Sequence, residues 1–181
     1  MLSLRWFLPA AVLVLPRPAV ARDAPDPDLT TVRHVDLPRY MGRWYVIAHV
    51  PNFLERDKVG TSDNYTLLPD GTLRDVFVFR KQSLDGPEKE WSGPGWVTDP
   101  ATNASWKVRL FWPFAAGYHI LELDPNYGWA VASTDSGGLF WVLARTTRLD
   151  TATYQEIEER LRRRRLDPGK LELVPQLPAG S

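Results

Sequence analysis

The sequence of 181 residues has the length of one domain of ordinary size, and its 44% hydrophobic and 24% charged residues are typical of a globular protein. Lysine and arginine together number 22, as do aspartate and glutamate, so no net charge attracts the chain to nucleic acid, and we expect no nucleic-acid partner. Eight tryptophans, seven phenylalanines and six tyrosines indicate that a large apolar volume is lined or filled.

The first 21 residues have the pattern of a secretory signal peptide. Arg5 precedes an apolar stretch from Trp6 to Leu15, and the small-x-small sequence Ala19-Val20-Ala21 follows. We expect cleavage after Ala21 and export to the periplasm or out of the cell. The alternative is an uncleaved anchor, but ten apolar residues interrupted by Pro9 are too few to span a bilayer. Because the sequence contains no cysteine, we expect no disulfide and no lipid attached to cysteine.

An irregular lead-in covers residues 22–35, and from Arg43 onward the chain divides into short β-rich runs separated by turn signals such as Pro69-Asp70-Gly71. Most connections have hairpin length, which predicts antiparallel neighbours and a sandwich or barrel. The eight predicted strands are Arg43–Val50, Thr61–Leu68, Thr72–Lys81, Glu90–Val97, Ser105–Phe111, Tyr118–Leu123, Trp129–Ser133 and Leu139–Thr146.

The hydrophobic period changes after the eighth strand. Residues 151–165 place Tyr154, Ile157 and Leu161 on one stripe, which predicts an amphipathic helix packed on the outside of the sheet. Four arginines, Arg162 to Arg165, end this helix; we interpret them as a solvated helix end rather than a nucleic-acid patch. Residues Leu171 to Val174 are compatible with a short final strand.

Two sequence motifs sharpen this prediction. Tyr40-Met41-Gly42-Arg43-Trp44-Tyr45 contains the Gly-x-Trp signature that opens the first strand of lipocalins, and Leu139 to Thr146 resembles their closing strand with its terminal arginine. Over residues 36–175 the sequence resembles the lipocalin family, in particular the bacterial outer-membrane lipocalins and apolipoprotein D, with 176–181 as a tail. The resemblance implies an all-β fold: an eight-stranded antiparallel up-and-down β-barrel with one C-terminal α-helix packed outside.

The resemblance also assigns structural roles. Trp44 closes the barrel floor, Arg145 lies across its indole ring, and Gly42 permits the tight entry into the first strand. A second family signature, usually Thr-Asp-Tyr, reads Leu123-Asp124-Pro125 in this sequence, so only Asp124 carries over.

If the floor lies at Trp44, connections 51–60, 82–89, 111–117 and 134–138 lie at the open end. They carry Phe53, Leu54, Leu84, Phe111, Trp112 and Phe114, which we expect either at the entrance of an apolar pocket or folded back to plug it. The resemblance to lipocalins also implies which residues line the interior: Tyr65, Phe77, Phe79, Val108, Leu110, Tyr118, Ile120 and Trp141.

We therefore predict a cell-envelope protein that binds a small apolar ligand, a fatty acid or lysophospholipid, for transport or storage. Contact with a membrane through the barrel mouth is compatible with this function, as is either a monomer or a homodimer. His34, His49 and His119 are far apart in the sequence and form no motif, so we expect no metal site, no cofactor and no catalytic residues.

The sequence is also compatible with two alternative functions. One is an enzyme acting on a lipid or isoprenoid inside the barrel through a pocket acid such as Glu122; Asp63, Asp75 and Glu122 are all weak catalytic candidates. The other is a barrel filled by its own side chains that acts through its rim as an interaction module, because eight strands enclose a space that side chains alone can fill.

Overall fold

A computed structural model describes residues 25–111 and 114–178, apart from the side chains of Leu110, Phe111 and Phe114. The predicted signal peptide, residues 1–21, lies outside the described residues, as does Trp112.

Eight antiparallel strands form a closed barrel, as predicted. Each strand pairs with its neighbour in sequence, and the first strand pairs with both the second and the eighth. A ninth short strand and a helix follow. The strands are β1 (Gly42–His49), β2 (Lys58–Leu67), β3 (Leu73–Lys81), β4 (Lys89–Val97), β5 (Ser105–Phe111), β6 (Phe114–Leu123), β7 (Trp129–Ser133), β8 (Phe140–Ala144) and β9 (Glu172–Leu173).

The largest difference from the predicted boundaries is at the start of β6. The sequence predicts a loop over 111–117, whereas the strand already begins at Phe114 and pairs back onto β5, with Val108 opposite Ala116 and Lys107 opposite Gly117. Alanine and glycine have low intrinsic preference for strands, so the pairing with β5 determines the structure here. The hairpin is therefore much tighter than predicted.

A single helical turn, α1 (Leu37–Tyr40), precedes β1 and was absent from the predicted elements. The Asp36 side chain accepts a hydrogen bond from the Arg39 backbone N–H, and Pro38 occupies the first turn, where it costs no helical hydrogen bond. Four residues are too few to show a helical period, so only this cap signal was available in the sequence.

The helix α2 (Thr151–Arg163) lies on the outside of the barrel, as predicted. Asp150 caps its first turn by accepting from the Thr153 backbone N–H at 2.9 Å. Its fully buried Ile157 and Leu161 pack against the outer face of β6 to β8, together with Leu121 and Val142. Within the described part of the chain, neither helix has the length and apolar character needed to cross a membrane.

The C-terminal segment completes the barrel wall. The β1–β2 pairing runs only from Gly42 to Tyr45, and beyond it β9 pairs with β1 at Ala48 and His49. Gln176 then bridges the two strands, since its side-chain amide donates to the carbonyls of Val46 (2.8 Å) and Thr61 (3.0 Å). Residues 172–176, hereafter the seam segment, therefore close the upper part of the gap between β1 and β2.

Candidate ligand-binding site

The floor of the barrel is built around Trp44, which is fully buried. Its indole N–H donates to the Tyr40 carbonyl at 2.8 Å, and the guanidinium carbon of Arg145 lies 3.8 Å from the ring centroid. A cation over an aromatic face contributes about 0.5–2 kcal/mol, depending on its exposure. Trp44 and Arg145 thus have the relative positions that the sequence motifs predict.

Arg145 also performs a task that the motif does not reveal. Its guanidinium donates to the backbone carbonyls of Arg39, Tyr40, Met41 and Arg43 at 2.7–3.0 Å. The last carbonyls of a helix have no partner within the helix, and a cation suits them. Arg145 therefore fixes α1 to the start of β1 beneath the barrel.

Gly42 and Asp124 shape two turns at the same end. Gly42 has a φ of +88°, a backbone conformation that side chains disfavour, and a Cβ atom there would lie 3.6 Å from Nη1 of Arg145. The Asp124 carboxylate accepts from the backbone N–H groups of Asn126 (3.1 Å) and Gly128 (2.9 Å), which holds the β6–β7 turn. Both residues therefore contribute to the backbone geometry of the closed end.

Above the floor the barrel encloses a cavity of about 240 Å³. Six of the residues predicted from sequence to contact ligand line this cavity: Leu54, Tyr65, Phe77, Val108, Tyr118 and Trp141. Leu143, Leu139 and Trp91 add to the apolar wall.

Three predicted contact residues lie elsewhere. Phe79 is buried beside the cavity wall, with its ring centroid 4.7 Å from that of Trp91, and is not among the lining residues. Ile120 faces inward as predicted, but it is fully buried in the barrel core with Trp106 and is not among the lining residues either. Phe53 is 81% exposed on the loop between β1 and β2, outside the cavity, because its neighbour Leu54 takes the inward position.

The remaining predicted contacts fall outside what the structure describes. Side chains of Leu110 and Phe111 are not described, and Trp112 is not among the described residues.

Packed aromatic rings fill the inner end of the barrel. The hydroxyl groups of Tyr40 and Tyr118 are hydrogen-bonded at 2.8 Å. Trp106 stacks on Tyr118 with centroids 5.2 Å apart and meets Tyr65 edge-on at 5.4 Å. Such pairs contribute roughly 0.5–1.5 kcal/mol beyond the area they bury, so this end of the barrel is a solid base.

Two aspartates that the sequence left as weak candidates lie in the cavity wall. Asp63 on β2 and Asp75 on β3 both line the cavity. In the β2–β3 register, Asp63 lies opposite Phe77 and Asp75 opposite Tyr65, so the two carboxylates occupy diagonal positions on the same inner face. Sequence alternation could place each of them inward but could not bring them together, because register was not predictable.

Burial shifts the titration of both aspartates. Asp75 is only 3% exposed, and burial raises its pKa to about 7. Burial also raises the pKa of Asp63 well above its ordinary value, and Coulomb repulsion from Asp75 and Glu55 adds to the effect. Among the described residues, Oδ1 of Asp75 has no hydrogen-bond partner. The inner part of the cavity therefore contains two carboxylates that resist ionisation.

Glu122, the acid on which the enzymatic alternative depended most, is not in the cavity, and that part of the prediction is wrong. It lies on the outer face of β6 beneath α2, where it accepts hydrogen bonds from Arg160 (3.0 Å) and Arg164 (2.5 Å). A shift in register between Ile120 and Glu122 interrupts the regular pairing of β6 with β7.

The contacts of Arg164 correct the interpretation of the arginines that end α2 as a solvated helix end. Arg164 is not part of a solvated helix end, since its guanidinium also donates to the backbone carbonyls of Leu121 and Thr30 at 2.7 Å. It anchors the end of α2 to the barrel and to the lead-in segment.

Glu55 is a residue at the mouth that the sequence did not single out. It lines the cavity, accepts from the Trp141 indole N–H at 2.8 Å and pairs with Nδ1 of His49 at 2.8 Å. Burial acts to raise the pKa of Glu55, but the interactions with His49, together with hydrogen bonds from Trp141 and Asn52, outweigh it and lower the pKa. Glu55 thus fastens the β1–β2 loop to the ends of the neighbouring strands β1 and β8.

Within the described residues, no three His, Cys, Asp or Glu side chains come together in a set that could hold a metal ion.

Comparison with known proteins identifies the family. A family model described as a lipocalin-like domain matches residues 35–176. Temperature-induced lipocalin-1 of Arabidopsis thaliana is 31% identical over 82% of this chain and 83% of its own length. The outer membrane lipoprotein Blc of Escherichia coli K12 is 30% identical over 92% of each chain.

Among solved structures, insecticyanin from the tobacco hornworm Manduca sexta superposes with a TM-score of 0.66 at 16% identity, covering 85% of this chain and 87% of that one. At this identity the similarity shows the fold alone. Lipocalins generally bind small hydrophobic ligands and are generally not enzymes. By its sequence match and its fold, the chain belongs to the lipocalin family.

Proposed function

We propose that this lipocalin binds a lipid-like ligand with one apolar chain, a fatty acid or a lysophospholipid, inside the barrel, and that it transports or stores this ligand. The observation that carries the proposal is the cavity of about 240 Å³, which remains above the closed floor and has a mainly apolar wall. A barrel filled by its own side chains would leave no such space.

The size of the cavity restricts the ligand. A cavity of about 150 Å³ holds a molecule as small as benzene, and pockets for drug-sized ligands have volumes of about 300–1,000 Å³. The cavity of about 240 Å³ in this barrel lies between these limits, which favours a single slim chain over a bulky ring system. Each buried methylene contributes about 0.8 kcal/mol before the cost of association, so a chain can bind with few polar contacts.

The sequence and its relatives support a place in the cell envelope. The N-terminal sequence has the pattern of a signal peptide, and the relative Blc is an outer membrane lipoprotein. Since this sequence contains no cysteine, we propose export without a lipid on cysteine. The exposed ring of Phe53 at the mouth suits transient contact with a membrane from which ligand is taken or to which it is delivered.

Fluorescence tests the binding proposal directly, because Trp91 and Trp141 line the cavity. Delipidated protein is titrated with a brominated fatty acid and a brominated lysophospholipid, and we expect saturable quenching of tryptophan emission. Val108→Phe places a larger side chain in the cavity and should weaken binding at least tenfold.

The matched control is Val76→Phe, the same substitution on the outer face of β3, which alternates with the inward Asp75 and Phe77. It should leave binding unchanged. Absence of saturable quenching by both ligand classes in the unmodified protein would contradict the proposed function.

A further inference from the structure

The inner end of the cavity has two acidic side chains, Asp63 and Asp75, with no basic side chain among the described lining residues. Glu55 lines the cavity nearer the mouth. Repulsion by Asp75 and Glu55 acts on Asp63. Asp75 is 3% exposed, and no described residue hydrogen-bonds its Oδ1. A buried acceptor without a partner is unfavourable, and a suitable ligand group would supply the missing hydrogen bond.

The basic groups at the two ends of the barrel are engaged elsewhere. At the mouth, His49 pairs with Glu55 at 2.8 Å. Lys58 lies at the mouth, with its ammonium 4.4 Å from the ring centroid of Trp91, and it donates to the Leu54 carbonyl. Arg145 lies beneath the floor, bound to the carbonyls around α1. The other titratable groups near the pair are the hydroxyls of Tyr40, Tyr65 and Tyr118, whose titration the aspartate charges affect.

We propose that Asp63 and Asp75 form a subsite at the inner end of the cavity for a hydrogen-bond-donating end group of the ligand, and that a protonated primary amine on an apolar chain is the preferred end group. This inference rests on the proposed function, since it concerns the same cavity, and it ranks amphiphiles with an amine end group above fatty acids as ligands.

The chemistry of the end groups explains the preference. An ammonium group is compact and has three donors, so it can serve Oδ1 of Asp75 and Asp63 while offsetting their mutual repulsion. A hydroxyl group supplies one donor and no charge. A carboxylate placed there adds negative charge to the site, and a terminal methyl group leaves Asp75 without a partner. The expected order of affinity is therefore amine, alcohol, carboxylate.

Calorimetric titration with decylamine, 1-decanol and decanoate tests this order, because the three probes share one chain and differ only in the end group. We expect decylamine to bind at least tenfold more tightly than decanoate. Asp75→Asn and Asp63→Asn should each weaken decylamine binding about tenfold and leave decanoate binding unchanged or tighter. Asp85→Asn, on the exposed β3–β4 turn, is the control and should change neither.

The pH dependence provides a second readout that does not need the variants to fold well. Because burial raises the pKa of Asp75 to about 7, ionisation of the pair between pH 5 and pH 8 should strengthen decylamine binding several-fold. An alkylammonium stays protonated over this range, and 1-decanol should bind almost equally throughout.

The outcomes separate the two proposals. If none of the three probes binds, the proposed function itself fails. If the probes bind but decanoate matches decylamine in the unmodified protein, or if decylamine keeps its affinity in folded Asp63→Asn/Asp75→Asn protein, the amine subsite is disproved and the lipid-binding function stands.

Discussion

Arg145 shows how one side chain can carry several structural tasks. It lies over Trp44 and donates to four carbonyls of α1 and its junction with β1. These contacts require a planar group with several donors in a fixed arrangement, which arginine has and lysine lacks.

Replacing Arg145 by lysine should therefore destabilise the barrel although the charge is kept. We expect the free energy of unfolding to fall by roughly 2–4 kcal/mol, since a lysine leaves several of the carbonyls without partners. Urea denaturation followed by tryptophan fluorescence measures the change. Arg148→Lys, at an exposed position nearby, is the control, and an equal effect of both substitutions would argue against this role.

The structural roles of individual residues were predictable from sequence only where a short motif marked them. The Gly-x-Trp signature and the terminal arginine of the closing strand place Gly42, Trp44 and Arg145 at the floor, where the structure has them. The four carbonyl partners of Arg145 were not predictable, because they belong to a helix of one turn that leaves no periodic pattern.

At the scale of single elements, the docking of α2 depends on a partly enclosed ion-pair group. Glu122 forms ion pairs with Arg160 and Arg164, and the side chains of Glu122 and Arg164 are each only 15% exposed. Removing one partner of such a group leaves the other charges without compensation, which costs more than the pair contributes.

Glu122→Gln should accordingly lower the free energy of unfolding by about 2–4 kcal/mol while leaving ligand affinity intact, because Glu122 lies outside the cavity. Chemical denaturation and ligand titration of the same variant measure the two quantities. Glu159→Gln, on the exposed face of α2, should have little effect on either. Loss of ligand binding in a stable Glu122→Gln protein would mean that the residue reaches the cavity after all.

The β1–β2 loop depends in a similar way on Glu55, and this dependence should vary with pH. Its folded pKa is lowered from an ordinary value of 4.5, so the stabilisation is present above that pH and is lost as pH falls through the folded pKa. We expect Glu55→Gln to destabilise the protein at pH 7, and the difference from the unmodified protein to shrink as pH falls below 4.5. Thermal unfolding across this pH range measures it; a difference that does not depend on pH would rule out the charge as the cause.

The elements themselves were mostly predictable, because alternation and turn residues mark strands strongly. The exceptions share a cause. The Ala115-Ala116-Gly117 stretch becomes strand because β5 pairs with it, and Glu122 lies outside the barrel next to a shift in the β6–β7 register. Both depend on partners that are distant in sequence, which local preference does not report.

At the scale of the whole molecule, the buried Asp75 should make stability depend on pH in the direction opposite to that expected from Glu55. Because burial raises the folded pKa of Asp75 to about 7 from 3.8, the folded protein binds more protons than the unfolded chain between these values. The contribution of Asp75 to stability should therefore fall as pH rises from 4 to 8.

Asp75→Asn removes this titration and should be more stable than the unmodified protein at pH 8, by an amount on the order of 1–3 kcal/mol, with the advantage lost near pH 4. Urea denaturation of the variant and of the unmodified protein at both pH values measures the difference in the free energy of unfolding. Equal stability differences at both would show that Asp75 ionises as freely in the barrel as in the unfolded chain.

The fold and the apolar character of the interior thus followed from sequence, whereas the charge pattern of the cavity did not. Asp63 and Asp75 are twelve positions apart in the chain, and only the register of β2 with β3 makes them neighbours. Phe53 and Leu54 are adjacent and both apolar, so the sequence could not decide which of them faces inward.

The seam segment has a consequence for biosynthesis. Since residues 172–176 join β1 to β2 above their direct pairing, a nascent chain cannot complete the barrel wall until residue 176 has been synthesised. Until then, unpaired backbone groups of β1 and β2 are available to other chains, and such bare strands promote aggregation. A polypeptide cut before Glu172 would keep these backbone groups unpaired and would have a lateral gap in the upper barrel wall.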